Sequence, residues 1–79
     1  MIRSMELFVI PTHRLCEKAV LSALDEVIIL KEQTNDVRIL VLDNSKDEIF
    51  KCNDMAIDEI RKRGFIIYHF GMEQIRKLI

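Results

Sequence analysis

The sequence contains few residues that interrupt regular structure. Its 79 residues include two glycines, one proline and no tryptophan. So few glycines and prolines leave little room for long loops and predict a chain rich in helices and strands. The two cysteines, Cys16 and Cys52, have neither the spacing of a CxxC motif nor that of a Cys/His zinc set. We therefore interpret both as reduced, half-buried helix residues rather than as ligands or a disulfide.

The sequence also lacks an excess of charge of either sign and any long apolar run. Twelve basic and 13 acidic residues give a net charge of -1, so no general attraction to nucleic acid or to an anionic membrane follows. The longest apolar runs, such as 27–30 and 39–42, are far shorter than the roughly 20 residues of a membrane span. Glu6 and Pro11 interrupt any signal-peptide core. We therefore expect a cytoplasmic protein without a nucleic-acid partner.

Short apolar runs alternate with segments of helical periodicity along the whole chain. The predicted elements are strands at 7–10, 37–42 and 65–70 and helices at 15–33, 47–63 and 72–79, after a loose leader at 1–4. Such alternation calls for a parallel sheet with right-handed crossovers. The sequence therefore predicts a single α/β domain over 1–79, truncated or minimal. It is a three-layer-type β-α-β-α-β-α unit, a Rossmann-like half, with sheet order 3-2-1.

The same periodicity predicts the buried faces and the ends of the helices. The apolar face of the first helix comprises Cys16, Val20, Ala23, Leu24, Val27 and Leu30. The inner stripe of the second helix comprises Ile49, Cys52, Ala56 and Ile60. Thr12 is predicted to cap the start of the first helix, and Gly64 fits the position just beyond the second.

Polar and ionisable residues follow each predicted strand directly, at 11–14, 43–45 and 69–71. In an open parallel sheet, ligands bind beyond the carboxyl ends of the strands. With sheet order 3-2-1, the ends of the first two strands are neighbours. The sequence therefore predicts one crevice, lined by Asp43 and by the turn that contains Thr12 and His13.

These residues also have purely structural interpretations. Asp43, Asn44 and Ser45 make a good turn and cap cluster. His13 is equally well an exposed turn residue, and His69, inside a strand, is interpreted as a packed or edge residue. No suitable spacing joins the histidines and acids into a metal site. The sequence has no G-x-G-x-x-G loop, no P-loop lysine and no G-x-S-x-G frame around Ser45.

Two of these segments resemble the inverting GT-A glycosyltransferases. Residues 8–14, Phe-Val-Ile-Pro-Thr-His-Arg, resemble the family's opening strand and turn, which often read V-I-P-T-Y-N-R. Residues 37–45 resemble its second strand, which typically ends V-V-D-D-x-S. Here the run Leu-Asp-Asn-Ser keeps the second acid, the polar residue and the serine. The first helix and the third strand fall where the family places them, so the similarity covers nearly the whole chain.

The resemblance implies that the crevice binds a nucleotide or a nucleotide sugar weakly. By position, Pro11 and Thr12 would border the base and the ribose, and His13 would replace the usual aromatic residue. Asp43 would accept a hydrogen bond from the base N–H, with Ser45 beside it.

Several features of that family are missing. Leu42 replaces the first acid of the usual pair, and the D-x-D motif that holds the metal and the diphosphate does not occur in the 79 residues. The acceptor-binding half and the catalytic base are missing too. We therefore expect a nucleotide-sugar-binding half of a glycosyltransferase-like protein, catalytically incomplete alone, as a fragment, a split subunit or a stand-alone protein. No cofactor is expected in this chain, and a divalent metal is expected only with the missing half.

The alternative is a small α/β interaction or regulatory module that has kept the scaffold and lost the ligand. A phosphoacceptor receiver-like domain would use Asp43, but it needs an acidic pair near the first strand, where Glu6 stands alone. The exposed edge of the first strand and the apolar last helix predict a homodimer or a complex with a second chain.

Overall fold

The computed structural model describes residues 5–33 and 36–78. The elements are β1 (Met5–Thr12), α1 (Glu17–Gln33), β2 (Asp36–Asp43), α2 (Asp47–Arg61), β3 (Ile66–Phe70) and α3 (Met72–Leu78). The strands form one parallel sheet of order β1-β2-β3. The predicted α/β class, the Rossmann-like order of elements and the order of the strands are therefore confirmed. The predicted leader lies outside the described residues.

β2 lies between the other two strands and is in parallel register with both. Thr12 pairs with Asp43 across β1 and β2, and Leu42 pairs with Phe70 across β2 and β3. The carboxyl ends of all three strands therefore meet at one edge of the sheet. Pro11 is tolerated in β1 because that strand lies at an edge of the described sheet, where its missing N–H costs no ladder bond.

α1 and α2 pack against the same face of the sheet and share its core. Burial in β2 alternates strictly, so every second residue from Val37 to Asp43 points into this core. The buried apolar residues are Cys16, Val20, Leu24, Val27, Val37, Ile39, Val41, Ile57, Ile60 and Ile67. Removing this apolar surface from water is the main favourable contribution to folding. None of the helices within 5–33 and 36–78 is both long enough and apolar enough to cross a bilayer.

Of the predicted apolar face of α1, Val20, Leu24 and Val27 are buried and Ala23 is half-buried. Cys16 is buried but precedes the helix, and the side chain of Leu30 lies outside the described part.

The prediction for α2 was wrong in its central positions. Cys52 is exposed, whereas Asn53 and Ile57 are buried. The prediction chose Cys52 because apolar side chains are usually buried. Asn53 is buried instead, since its amide is hydrogen-bonded in the core and a hydrogen-bonded amide can be buried at little cost in free energy.

The predicted helix-capping role of Thr12 was also wrong. Thr12 is the last residue of β1, and α1 begins only at Glu17. The Thr12 hydroxyl donates to the carbonyl of Arg14 at 2.9 Å and accepts from the Arg14 N–H at 3.3 Å. A threonine side chain commonly closes a turn in this way, and here it shapes the segment between β1 and α1.

Candidate functional site

Asp43 ends β2 as a buried carboxylate surrounded by hydrogen-bond donors. The Ser45 N–H donates to Oδ1 at 2.9 Å, the Asn53 amide donates to Oδ2 at 2.9 Å, and His69 Nε2 lies 2.7 Å from Oδ2. Burial acts to raise the pKa of Asp43, but the hydrogen bonds with Ser45, Asn53 and His69 together outweigh it. The pKa of Asp43 therefore lies below its ordinary value, and the carboxyl group is ionised at neutral pH.

His69 connects β3 to two carboxylates on neighbouring elements. Its Nε2 faces Asp43, and its Nδ1 lies 2.9 Å from Oδ1 of Asp54 on α2. The ring is 1% exposed and stacks on Phe50 with ring centroids 4.0 Å apart. A neutral imidazole has one N–H and donates to one of the carboxylates, whereas an imidazolium donates to both. The interpretation of His69 as a packed strand residue agrees with this placement.

Asn53 ties α2 to the segment between β1 and α1. Its Oδ1 accepts from the Cys16 N–H at 3.0 Å, and its Nδ2 donates both to the Arg14 carbonyl at 3.0 Å and to Asp43. The residue is 1% exposed. Asn53 therefore holds this segment beside the carboxyl end of β2.

The thiol of Cys16 lies close to this network but is not activated by it. Burial, and next the negative charge of Asp43, raise the pKa of the Cys16 thiol above its ordinary value. Because the thiolate is the reactive form, Cys16 is a core residue rather than a nucleophile.

A cleft of about 350 Å³ opens beside Asp43 at the carboxyl edge of the sheet, and its walls include Ser45, Asp47, Phe50 and Glu73. This volume is at the small end of the roughly 300–1,000 Å³ that small-molecule sites occupy. The Ser45 hydroxyl oxygen is buried and makes no hydrogen bond of good geometry among the described residues, although its side chain lies close enough to the Asp43 carboxylate to help lower the pKa of that group. The cleft wall therefore contains a hydroxyl whose hydrogen-bonding capacity is only partly used.

The structure brings three of the predicted site residues together. Thr12 and Asp43 are register partners, and Ser45 is bonded to Asp43 through its backbone N–H. The Asn44 N–H donates to the Thr12 carbonyl at 2.9 Å and joins the two strand ends. The ends of β1 and β2 are therefore neighbours, but no residue of 11–14 lines the cleft beside Asp43, which lies between the end of β2 and residues 71–74.

The two remaining predicted residues lie on either side of Thr12. Pro11 pairs with Leu42, one position before the strand end. His13 is exposed, and the Arg14 guanidinium lies 3.1 Å from its Nε2. Both flank the Thr12 turn, but the structure links neither to Asp43 by a hydrogen bond between side chains among the described residues.

Asn53 is the site residue that the sequence analysis missed. The sequence did contain a signal, because Ile49, Asn53 and Ile57 recur every four residues and therefore share one face of a helix. A polar residue within such an apolar stripe indicates a buried polar contact.

In the part of the chain that the structure describes, no group of three His, Cys, Asp or Glu side chains is placed to hold a metal ion. Comparison with known protein families, curated proteins and solved structures finds no match to this chain. The description of the candidate site therefore rests on its own geometry.

Proposed function

We propose that the chain is the nucleotide-binding half of a glycosyltransferase-like protein, and that its cleft takes the nucleoside end of a nucleotide or nucleotide sugar. The main support is the Ser45 hydroxyl, which makes no hydrogen bond of good geometry with the described residues and belongs to a residue that lines the cleft beside ionised Asp43. The resemblance of residues 8–14 and 37–45 to GT-A glycosyltransferases supports the same class of ligand. In that family the ends of the first two strands hold the nucleotide, whereas the cleft here lies between the end of β2 and residues 71–74, which follow β3.

The charge of the cleft favours the nucleoside end over the diphosphate. Asp47 and Glu73 bring two further carboxyl groups to its walls. Ribose hydroxyls and the N–H of a base donate hydrogen bonds to carboxylates, whereas phosphates are repelled by them. The small volume points the same way. In our proposal the base and ribose enter the cleft and the phosphates lie outside it.

Asp43 acts on the ligand through Ser45. Its side chain is 0% exposed and already faces three donors, so it has little capacity left for a ligand. Its bond to the Ser45 N–H fixes the backbone from which the hydroxyl projects. Rotation about the single side-chain torsion of Ser45 carries the hydroxyl into the cleft, where the ligand becomes its partner.

The direct test is an NMR titration of the chain with uridine and, separately, with uridine diphosphate. Without diphosphate contacts we expect a dissociation constant near 1 mM, or about −4 kcal/mol. The amide shifts are expected to cluster at Ser45, Asp47 and Gly71, which line the cleft, and the diphosphate is expected to bind no more tightly than uridine. Absence of shifts at Ser45 with about 10 mM uridine would remove the proposal.

Catalysis by this chain alone is outside the proposal, because the sequence contains neither a D-x-D motif nor the family's catalytic base. Pure protein incubated with a uridine-diphosphate sugar and Mn²⁺ is expected to leave it intact, as measured by chromatography. Turnover that is lost in Asp43→Ala would show that the chain is a complete enzyme.

A second candidate function is a small interaction or regulatory module whose partner is another copy or a second chain. The observation that favours it is the apolar sheet face that α1 and α2 leave open. On that face Leu7 is 42%, Val9 50% and Ile66 47% exposed. Self-association without any response to nucleosides would favour this function over the first.

A further inference from the structure

The sheet face opposite α1 and α2 is apolar over two complete cross-strand rows. The register aligns Val9 with Leu40 and Tyr68, and Pro11 with Leu42 and Phe70. Parallel sheets are normally covered on both faces. Here the second face keeps large apolar side chains in contact with solvent, with Val9 50% exposed.

A third cross-strand row of this face contains a charged side chain, that of Arg38. Leu7 and Ile66 flank Arg38, whose guanidinium donates to both oxygens of Asp36 at 2.9 and 3.1 Å and to the Tyr68 hydroxyl at 2.6 Å. The hydrogen bond to Asp36, and next that to Tyr68, raise the pKa of Arg38 further above its ordinary value. The Arg38 charge is therefore neutralised within the chain.

The pairing of Arg38 with Asp36 determines which kind of partner can bind this face. An uncompensated Arg38 would select an acidic partner and would repel a second copy of itself. Paired with Asp36, it brings no net charge to the surface. A face that is apolar and neutral in this way is compatible with an identical face.

We propose that this open face is the contact surface of a homodimer in which two copies stack their sheets about a twofold axis. A twofold axis brings the same patch of both copies together, so Leu7, Val9 and Ile66 of each copy are covered at once. Stacked sheets pack about 10 Å apart through interdigitating side chains. The apolar cavity of about 230 Å³ between Leu7 and Tyr68 is filled by side chains of the second copy.

The size of the face determines how tightly the copies bind. Three strands about 4.8 Å apart and about six residues long span roughly 14 by 20 Å. This footprint is well below the roughly 800 Å² that each partner contributes to a standard stable interface. The dimer is therefore weak and reversible, with a dissociation constant in the range of tens to hundreds of micromolar.

Sedimentation velocity from about 10 to about 500 µM tests the proposal with one face variant and one matched control. Ile66→Lys places a charge on the face, on the strand farthest from β1. Met55→Lys makes the same kind of change on α2, where Met55 is 72% exposed and away from the face. We expect Ile66→Lys to weaken the dimer at least about tenfold and Met55→Lys to change it less than about twofold.

Two further variants separate the face from other contacts and from loss of folding. Val9→Lys disturbs the face and the free edge of β1, whereas Ile66→Lys disturbs the face and the opposite edge of the described sheet, that of β3. A dimer weakened by only one of these two variants assigns the contact to the corresponding edge and overturns the proposal. Ile66→Thr keeps a β-branched side chain, so it is expected to weaken the dimer with an unchanged circular dichroism spectrum. A chain that remains monomeric at about 500 µM also overturns the proposal and leaves the face to a different partner.

Discussion

His69 Nε2 lies 2.7 Å from Asp43 Oδ2, and this contact joins the carboxyl ends of β2 and β3 inside the protein. The pair is part of a polar network that reaches Asn53 on α2 and, through it, the segment between β1 and α1. One carboxylate therefore organises the ends of all three strands. The network shapes the wall of the cleft in which we propose that a nucleoside binds.

Replacing Asp43 by asparagine is expected to lower the free energy of unfolding by about 1–3 kcal/mol. The shape is kept, but either orientation of the new amide points an NH₂ group at a donor, which is the Ser45 N–H or the Asn53 amide. Urea unfolding at pH 7 measures the effect. Asp25→Asn, at an exposed position on α1, is the matched control and is expected to change stability by less than about 0.5 kcal/mol.

The stabilisation from Asp43 is expected to depend on pH in one direction. Because the pKa of Asp43 in the folded chain lies below its ordinary value of 3.8, the carboxylate stabilises the fold fully above that value. Its contribution is lost as the pH falls through the lower pKa of the folded state. The difference in stability between wild type and Asp43→Asn is therefore expected to be constant above about pH 5 and to shrink below about pH 4. A difference that grows with acidification would contradict this assignment.

Asn53→Ala is expected to destabilise the protein by at least about 2 kcal/mol. The substitution leaves the Cys16 N–H and the Arg14 carbonyl without their partner, and it removes one donor from Asp43. Asn44→Ala removes an amide of the same kind from an exposed side chain and serves as the control. Equal stability of the two variants in urea would show that Asn53 does not hold the segment in place.

The architecture could be predicted from the sequence because its signals are local. The strand predicted at 37–42 from the apolar run at 39–42 and the polar residues after it corresponds to β2 within one residue at each end. Likewise, the position of Asp43 at the carboxyl ends of the strands follows from the order of the strands and the position of the turn after the second strand. Each of these inferences uses residues that are close together in the chain.

The hydrogen-bonded network could not be predicted in the same way, because its partners are distant in the sequence. Asp43 meets Asn53 ten residues later and His69 26 residues later. Which side chains meet depends on the rotation of α2 about its axis. The periodicity of the sequence placed Cys52 on the buried side of α2, whereas the structure buries Asn53 and exposes Cys52. Only the packed fold specifies that rotation, since the free energy of burying a bonded amide depends on partners from other elements.

Gly64 supplies a test of the turn that follows α2. Its φ of 98° lies in a region that favours glycine, and a Cβ added there meets no atom within 4 Å. The cost of Gly64→Ala is therefore conformational and is expected to be about 1 kcal/mol. Gly64→Asn is expected to cost less, because asparagine tolerates positive φ. Equal losses for both variants in thermal unfolding would point to a cause other than the backbone angle.

The most direct test of nucleoside binding compares Ser45→Ala with Ser22→Ala, in which an exposed hydroxyl of α1 is removed. Because the Ser45 hydroxyl makes no hydrogen bond of good geometry and, in the described part of the chain, interacts with Asp43 alone, its removal is expected to change the stability of the free chain by less than about 1 kcal/mol. The same change is expected to weaken uridine binding about three- to tenfold, since the ligand loses its hydrogen bond to that hydroxyl. Ser22→Ala is expected to bind uridine as wild type does. Uridine binding of equal strength in Ser45→Ala and wild type, measured by NMR titration, would contradict the assignment of the site.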